Sequence, residues 1–334
     1  MHKDYTQRRN ARGETVFPGI GLESILGRIL RIARYHNHKS TETMKPFGIK
    51  NGEADVLSAL LHAGPPYTLN PKDITKQAYR TPGAITNVMD HLEEKGLIRT
   101  GDGCFQHMIT GSPNDSEILI DTLFMAVLFL ARAGKLLNRQ DYIEEATYQV
   151  LCHIKYLLNK NEGLFYHGFN FERNDNYGGI LWGRGNCWYT IVAMELIQEI
   201  PMEDGLKRHF LTVYENQVKA LKRYADPETG LWHTVIDDPD TYLELSASAA
   251  FLRGIMQGVR LGILNGEEYE ELIEKAMKGL LDNISEDGTV ENVSYGNPSG
   301  LDKEFYNTIP FCHMTYGRAL MILALSEAMT DYWH

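Results

Sequence analysis

The sequence predicts an all-α protein, an (α/α) toroid set behind a smaller helical domain. A loose repeat runs through the back of the chain: GCFQHMITG from Gly103, GLFYHGFNF from Gly163, GLWHTVIDD from Gly230 and GTVENVSYG from Gly288, at spacings of 60, 67 and 58 residues. Pairs of helical patterns lie between these segments, such as Leu119–Leu137 with Tyr142–Leu158 and Trp188–Ile200 with Leu206–Tyr224. Helix pairs at a regular period stack as hairpins, each burying its apolar face on the next. The turn segments between pairs carry aromatic and histidine side chains, which such stacking gathers at one end, around a pocket at the mouth of the inner helices.

Composition sets the class. The 334 residues are 43% hydrophobic and 23% charged, ordinary values for a globular chain. The N-terminal stretch MHKDYTQRRNARGE has no apolar stretch behind its basic residues, so it does not read as a secretory signal. No run of about 18 apolar residues is present, which argues against a spanning helix. Cys104, Cys152, Cys187 and Cys312 are widely spaced, without a CxxC, and read as free thiols of a cytoplasmic protein. The net charge of −11 is uneven: residues 1–102 hold 15 Lys+Arg against 11 Asp+Glu, the remainder 18 against 33. The front is therefore the half that can approach a polyanion.

Residues 1–19 read as a flexible terminus. From Leu22, apolar side chains recur at helical spacing (Ile25, Leu26, Ile29, Leu30, Ala33), with Arg28, Arg31 and Arg34 on another face. A short amphipathic helix over Glu53–Ala63 ends at Gly64-Pro65-Pro66. Asn70-Pro71 and Thr81-Pro82 each open a further helix with the residues preferred at that end, and Gly96 stops the second.

The stretch NDSEILIDTLFMAVLFLARAGKLLN, Asn114 to Asn138, is the most apolar of the chain. Asn114 and Glu117 suit a capping box, and the side chains from Ile118 to Leu130 are apolar on all faces, so a helix buried all round is expected. Asp121 stands inside it. Burial without partners would raise its pKa and make it a proton donor; alternatively it is an aspartate stabilised near a helix N-terminus. In LWGRGNCWYT, Leu181 to Thr190, Trp182 and Trp188 flank Arg184 between two glycines. Indole faces stack on sugar rings and a guanidinium forks onto a carboxylate, so the cluster suits an acidic sugar. Two core tryptophans and a structural arginine are the other reading.

The wording ADVLSALLHAGPPYTLNPKDITKQAYRTPGAITNVMDHLEEKGLIR resembles the winged-helix core of MarR-type regulators over residues 20–102. The resemblance implies a helix-turn-helix with Thr81, Ala84, Thr86 and Asn87 facing bases. The wing does not follow Arg99, so DNA contact is expected to be weak. From Gly103 onward, IDTLFMAVLFLARAGKLLNR, GLFYHGFNF, WGRGNCW and YLELSASAAF are similar to glycoside hydrolase family 105, the unsaturated rhamnogalacturonyl hydrolases, related to family 88. That resemblance implies an (α/α) barrel over residues 103–334. It also implies removal of a 4,5-unsaturated uronic acid from the non-reducing end of pectin-derived oligosaccharides, by hydration of C4=C5. Asp121 would be the general acid/base, and His107 and His167 would bind the sugar. Trp182 and Trp188 would stack on it, Arg184 would take its carboxylate, and Glu244 and Ser246 would shape the pocket floor. No cofactor or metal is implied. Six hairpins make the family's barrel and about four follow Gly103, so the toroid is expected to be incomplete and its activity reduced. A sugar-responsive DNA-binding regulator and an inactive, sugar-binding fusion are the alternative functions.

Overall fold

The computed structural model describes residues 102–107, 117–297 and 299–330. The MarR-like segment, with Thr81, Ala84, Thr86 and Asn87, lies outside them, as does Asn114. What is described is an arc of helical hairpins. Helices α1 (Leu128–Leu137), α3 (Gly183–Glu199), α5 (Leu245–Arg260) and α8 (Thr315–Ala328) follow one another, α1 packing on α3, α3 on α5 and α5 on α8. Against them stand α2 (Gln140–Leu157) on α1, α4 (Asp204–Tyr224) on α3 and α6 (Gly266–Asp282) on α5. A short helix, α7 (Lys303–Asn307), precedes α8.

Burial separates the two sets. Every residue of α3 from Gly183 to Leu196, and of α5 from Leu245 to Val259, is buried. Helices α2, α4 and α6 bury one stripe and present charged residues outward, as amphipathic outer helices do. Close approach of α3 and α5 depends on small side chains: a Cβ at Gly254 would sit 2.5 Å from Cγ2 of Thr190. An ion triad ties three of the inner helices, with Glu195 of α3 between Arg132 of α1, at 2.7 Å, and Arg253 of α5.

The repeat segments recur structurally. Gly103, Gly163, Gly230 and Gly288 all adopt left-handed backbone, with φ of 78°, 76°, 70° and 89°. At Gly230 a side chain is excluded twice over, because its Cβ would lie 2.7 Å from the backbone nitrogen of Ala276. Four residues after these glycines stand His107, His167, Thr234 and Asn292, so the two histidines occupy one repeat position.

The apolar stretch departs from expectation. Glu117–Leu119 is not helical but forms strand β1, and the helix starts later with a π-helical turn, Leu123–Val127, that runs into α1. Tertiary pairing wins here, since β1 is antiparallel to β4 (Gly168–Asn170), with Leu119 opposite Gly168. Nor is the helix buried on all faces: Met125 is 60% and Phe129 45% exposed. A second two-stranded ladder pairs β2 (Leu158–Asn159) with β3 (Leu164–Phe165). Among the described residues no helix is long and apolar enough to cross a membrane.

Candidate active site

The β1–β4 ladder builds the site. Beyond its last pair, the amide of Ile120 donates to the carbonyl of His167 at 3.0 Å, so Asp121 and His167 leave adjacent ends of the ladder together. Gly168 permits this approach, because a Cβ there would lie 2.6 Å from Cδ2 of Leu119. Asp121 then stands at the N-terminal end of the π turn, its carbonyl accepting from the amides of Phe124 and Met125, both at 3.1 Å. Single π turns are frequent at functional sites, and free amides at a helix start favour a negative charge.

Both carboxylate oxygens of Asp121 face donors. Nε1–H of Trp188 donates to Oδ1 at 3.1 Å, and Nε2 of His167 lies 3.2 Å from Oδ2. The second pair is angled away from an ideal hydrogen bond, and Oδ2 and Nε2 have no hydrogen-bond partner among the described residues. Proximity still counts electrostatically. Burial pushes the Asp121 carboxyl up, but the His167 contact and the neighbouring His107 and Arg184 side chains together outweigh it and hold the group below the usual carboxylate range. The expectation of a raised pKa is therefore corrected. Asp121 is buried, but it is not without partners.

His107 is half-buried, with Nδ1 3.0 Å from Oγ1 of Thr122. Burial pushes its pKa down, against the charge of Asp121. His167 is held by contacts that the motifs did not indicate. Its ring lies 4.2 Å from Trp182 and 5.7 Å from Tyr306, and Nδ1 is 2.6 Å from the Tyr306 hydroxyl. His153 of α2 is fully buried behind them. Its Nδ1–H donates to the Gln149 carbonyl at 2.7 Å, and burial drives its pKa down to about 4.

The tryptophan–arginine cluster is assembled, but it is turned inward. Trp182 and Trp188 are 1% and 4% exposed, and Trp188 stacks on Phe124 at 4.8 Å. Neither indole presents an open face for a sugar, which corrects the stacking expectation. Arg184 lies between the rings of Trp182 and Tyr316, at 4.7 and 4.9 Å. Nη1 donates to the carbonyl and hydroxyl of Ser294, at 3.1 and 2.5 Å, and Nη2 to the Tyr295 carbonyl and the Asn297 side chain, both at 2.9 Å. Those bonds use the four terminal N–H groups of the guanidinium. In this conformation it cannot fork onto a ligand carboxylate, and it grips the loop 294–297 instead.

Glu244 completes that grip. It is fully buried and caps α5 by accepting from the Ala247 amide at 2.7 Å. It also accepts from the Ser246 hydroxyl at 2.8 Å and the Ser294 amide at 2.9 Å, and stands 3.6 Å from Nη1 of Arg184. Glu244 and Ser246 thus support the loop from within and do not form a pocket floor. Beyond the loop, Ser299 donates to Glu117 at 2.7 Å and the Gly300 amide to the Tyr306 hydroxyl at 2.9 Å. Asp121, His107, His167, Trp182 and Trp188 do come together. Tyr306, Tyr316, Ser294 and His153 belong with them and were missed, since each sits in a segment whose only cue is distant packing. Among the described residues no cluster of three His, Cys, Asp or Glu side chains could hold a metal ion.

The chain is similar to several known proteins. The family model for Glycosyl Hydrolase Family 88 matches residues 37–332, and so enters the segment that resembles a MarR-type domain. An unsaturated rhamnogalacturonyl hydrolase, YesR, of Bacillus subtilis is 32% identical over 237 residues, covering 69% of this chain and 66% of its own. An unsaturated 3S-rhamnoglycuronyl hydrolase of Alteromonas sp. is 27% identical over 214 residues, covering 63% of this chain and 50% of its own. The chain therefore spans between half and just under two thirds of these curated relatives. The crystal structure of a possible member of the GH105 family from Klebsiella pneumoniae superposes with a TM-score of 0.72 at 34% identity, covering 92% of this chain and 82% of that one.

Proposed function

The chain belongs to Glycosyl Hydrolase Family 88, and from that premise we propose that it hydrolyses oligosaccharides ending in a 4,5-unsaturated uronic acid, with Asp121 as the reacting carboxylate. The observation that carries the reading is the placement of Asp121. It is a buried carboxylate at a helix start, flanked by Trp188 and His167, with Oδ2 left without a hydrogen-bond partner among the described residues. The names of the two curated relatives favour an unsaturated uronyl group as the substrate class. Within that class we favour the unsaturated galacturonyl end of a rhamnogalacturonan fragment, because YesR carries that activity in its name and matches over 237 residues, against 214 and 182 for two 3S-rhamnoglycuronyl hydrolases.

In this reading Asp121 delivers a proton to C4 of the enol ether and water adds at C5. The resulting hemiketal opens: the bond from C5 to the ring oxygen breaks, the C5 hydroxyl gives up its proton to become a ketone, and the ring oxygen stays on C1 as a hydroxyl. The hemiacetal so formed at C1 collapses to an aldehyde and releases the remaining sugar as an alcohol. Displacement at the anomeric carbon by a second carboxylate is not required, unlike ordinary glycoside hydrolysis. Asp121 is held ionised in the free protein, so its proton must be taken up as substrate binds. A uronate brought beside it raises its pKa, because like charges disfavour a second ionised group.

The test is direct. Purified full-length protein is mixed with an unsaturated galacturonyl–rhamnose disaccharide, and the ultraviolet absorbance of the C4=C5 bond conjugated to its carboxylate is followed. We expect that absorbance to disappear with wild-type protein and to persist with Asp121→Asn. Equal turnover by both proteins would show that the proton comes from another group. Persistence with wild type across unsaturated galacturonyl and glucuronyl disaccharides would refute the function.

A further inference from the structure

We propose that Tyr306 is a positioning residue that fixes which ring nitrogen of His167 carries the proton turned toward Asp121, an inference that rests on the reading of Asp121 as the reacting carboxylate. Tyr306 lies on α7, fully buried, 139 residues along the chain from His167. Among the described residues two groups lie within hydrogen-bond reach of its hydroxyl: the Gly300 amide at 2.9 Å and Nδ1 of His167 at 2.6 Å. The amide can only donate, so the phenolic oxygen accepts there. A buried hydroxyl proton needs an acceptor in turn, and of these two partners only Nδ1 can serve.

Nδ1 is therefore the bare nitrogen of a neutral imidazole, and the proton resides on Nε2, 3.2 Å from Oδ2 of Asp121. The opposite tautomer would set a nitrogen lone pair against a carboxylate. Burial pushes the Tyr306 phenol well above its ordinary range, so it retains the proton it donates. The surroundings hold this geometry. A Cβ at Gly300 would lie 2.0 Å from Cδ1 of Phe305, so the amide reaches the hydroxyl only from a glycine. The Trp182 ring, 4.2 Å from that of His167 and 5.8 Å from that of Tyr306, limits rotation of the imidazole.

The chain order is thus Gly300 amide to Tyr306 hydroxyl, Tyr306 hydroxyl to His167 Nδ1, and His167 Nε2 toward Asp121. The hydroxyl of Tyr306 bonds to His167 and Gly300 and not to the reacting carboxylate. It acts through the imidazole, and its removal changes the state of Asp121 at a distance.

Nitrogen NMR of histidine-labelled full-length protein tests this without substrate, the His167 signal being assigned by its loss in His167→Gln. We expect a protonated Nε2 and an unprotonated, hydrogen-bonded Nδ1. In Tyr306→Phe the Nδ1 resonance should move to that of a bare acceptor. Hydrolysis is read in parallel: loss of one buried hydrogen bond predicts kcat lower by about ten-fold with KM within about two-fold, together with a displaced pH profile. A protonated Nδ1 in wild type overturns the proposal, and so does an unmoved Nδ1 resonance in Tyr306→Phe. If the protein hydrolyses no unsaturated uronide, the proposed function fails while the NMR result still decides the tautomer.

Discussion

His153 offers a quantitative test of how burial shapes this fold. Its ring is fully buried and its pKa is driven down to about 4, against about 6.5 for an unperturbed histidine. Between these two values the unfolded chain binds a proton that the folded protein refuses. The stability contribution is therefore complete above about pH 6.5 and is lost progressively as pH falls toward about 4. At 1.36 kcal/mol per tenfold, the loss between pH 7 and pH 4 is about 3 kcal/mol. His153→Asn keeps a donor for the Gln149 carbonyl, placed where Nδ1 stands, and removes the titration. Urea unfolding of both proteins, followed by the fluorescence of the buried tryptophans at pH 7, 6, 5 and 4, isolates the effect. His107 titrates in both proteins and cancels. The wild-type advantage should shrink by about 3 kcal/mol from pH 7 to pH 4, most of it below pH 6.5. A difference that stays flat with pH would refute the argument.

Other perturbations follow from the same contacts. Asp121→Asn should abolish turnover and also remove an acid-side stability loss, because a carboxyl held below its ordinary range stabilises the fold above about pH 4 and ceases to do so as pH falls through its folded value; unfolding midpoints between pH 5 and pH 3 check this. Trp188→Phe deletes the donor to Oδ1, so the Asp121 pKa should rise and the alkaline limb of kcat/KM should move to higher pH. Arg184→Ala leaves Glu244 buried without its cation, predicting a loss of about 3–5 kcal/mol in urea unfolding, whereas Arg184→Lys should lose less. Gly254→Ala drives a methyl into Thr190 and should cost about 1–3 kcal/mol, seen as a lower Tm.

The hairpin architecture was legible because it rests on local signals. The repeat glycines need left-handed backbone, and α2 and α4 carry helical spacing of their own. The motifs also pointed to residues that meet in space: Asp121, His107, His167 and the tryptophans. The electrostatics of the site were not legible. Whether a buried aspartate is protonated depends on His167, 46 residues away, and on an indole 67 residues away, and no local pattern encodes those distances. The start of the apolar helix was misplaced for a related reason. Ile118 and Leu119 pair with β4, and a strand partner far along the chain overrides local helical preference. Arg184 was assigned to a ligand because its natural acceptors, Ser294, Tyr295 and Asn297, lie more than a hundred residues downstream.

The loop gripped by Arg184 has a consequence for how the protein comes to exist on the ribosome. Contacts that finish the site span 110 residues from Arg184 to Ser294, 139 from His167 to Tyr306 and 182 from Glu117 to Ser299. Translation proceeds at roughly 5–20 residues per second, so Asp121 is exposed for about 10 seconds or more before Tyr306 is even synthesised. Throughout that interval His167 lacks Tyr306, its partner at Nδ1. On the proposed function, a nascent chain therefore holds the reacting group long before it holds a complete centre, and completion arrives with the last two helices. Ribosome-bound chains stalled just before and just after residue 306 has cleared the exit tunnel would differ in activity, although both expose every motif from which the site can be read.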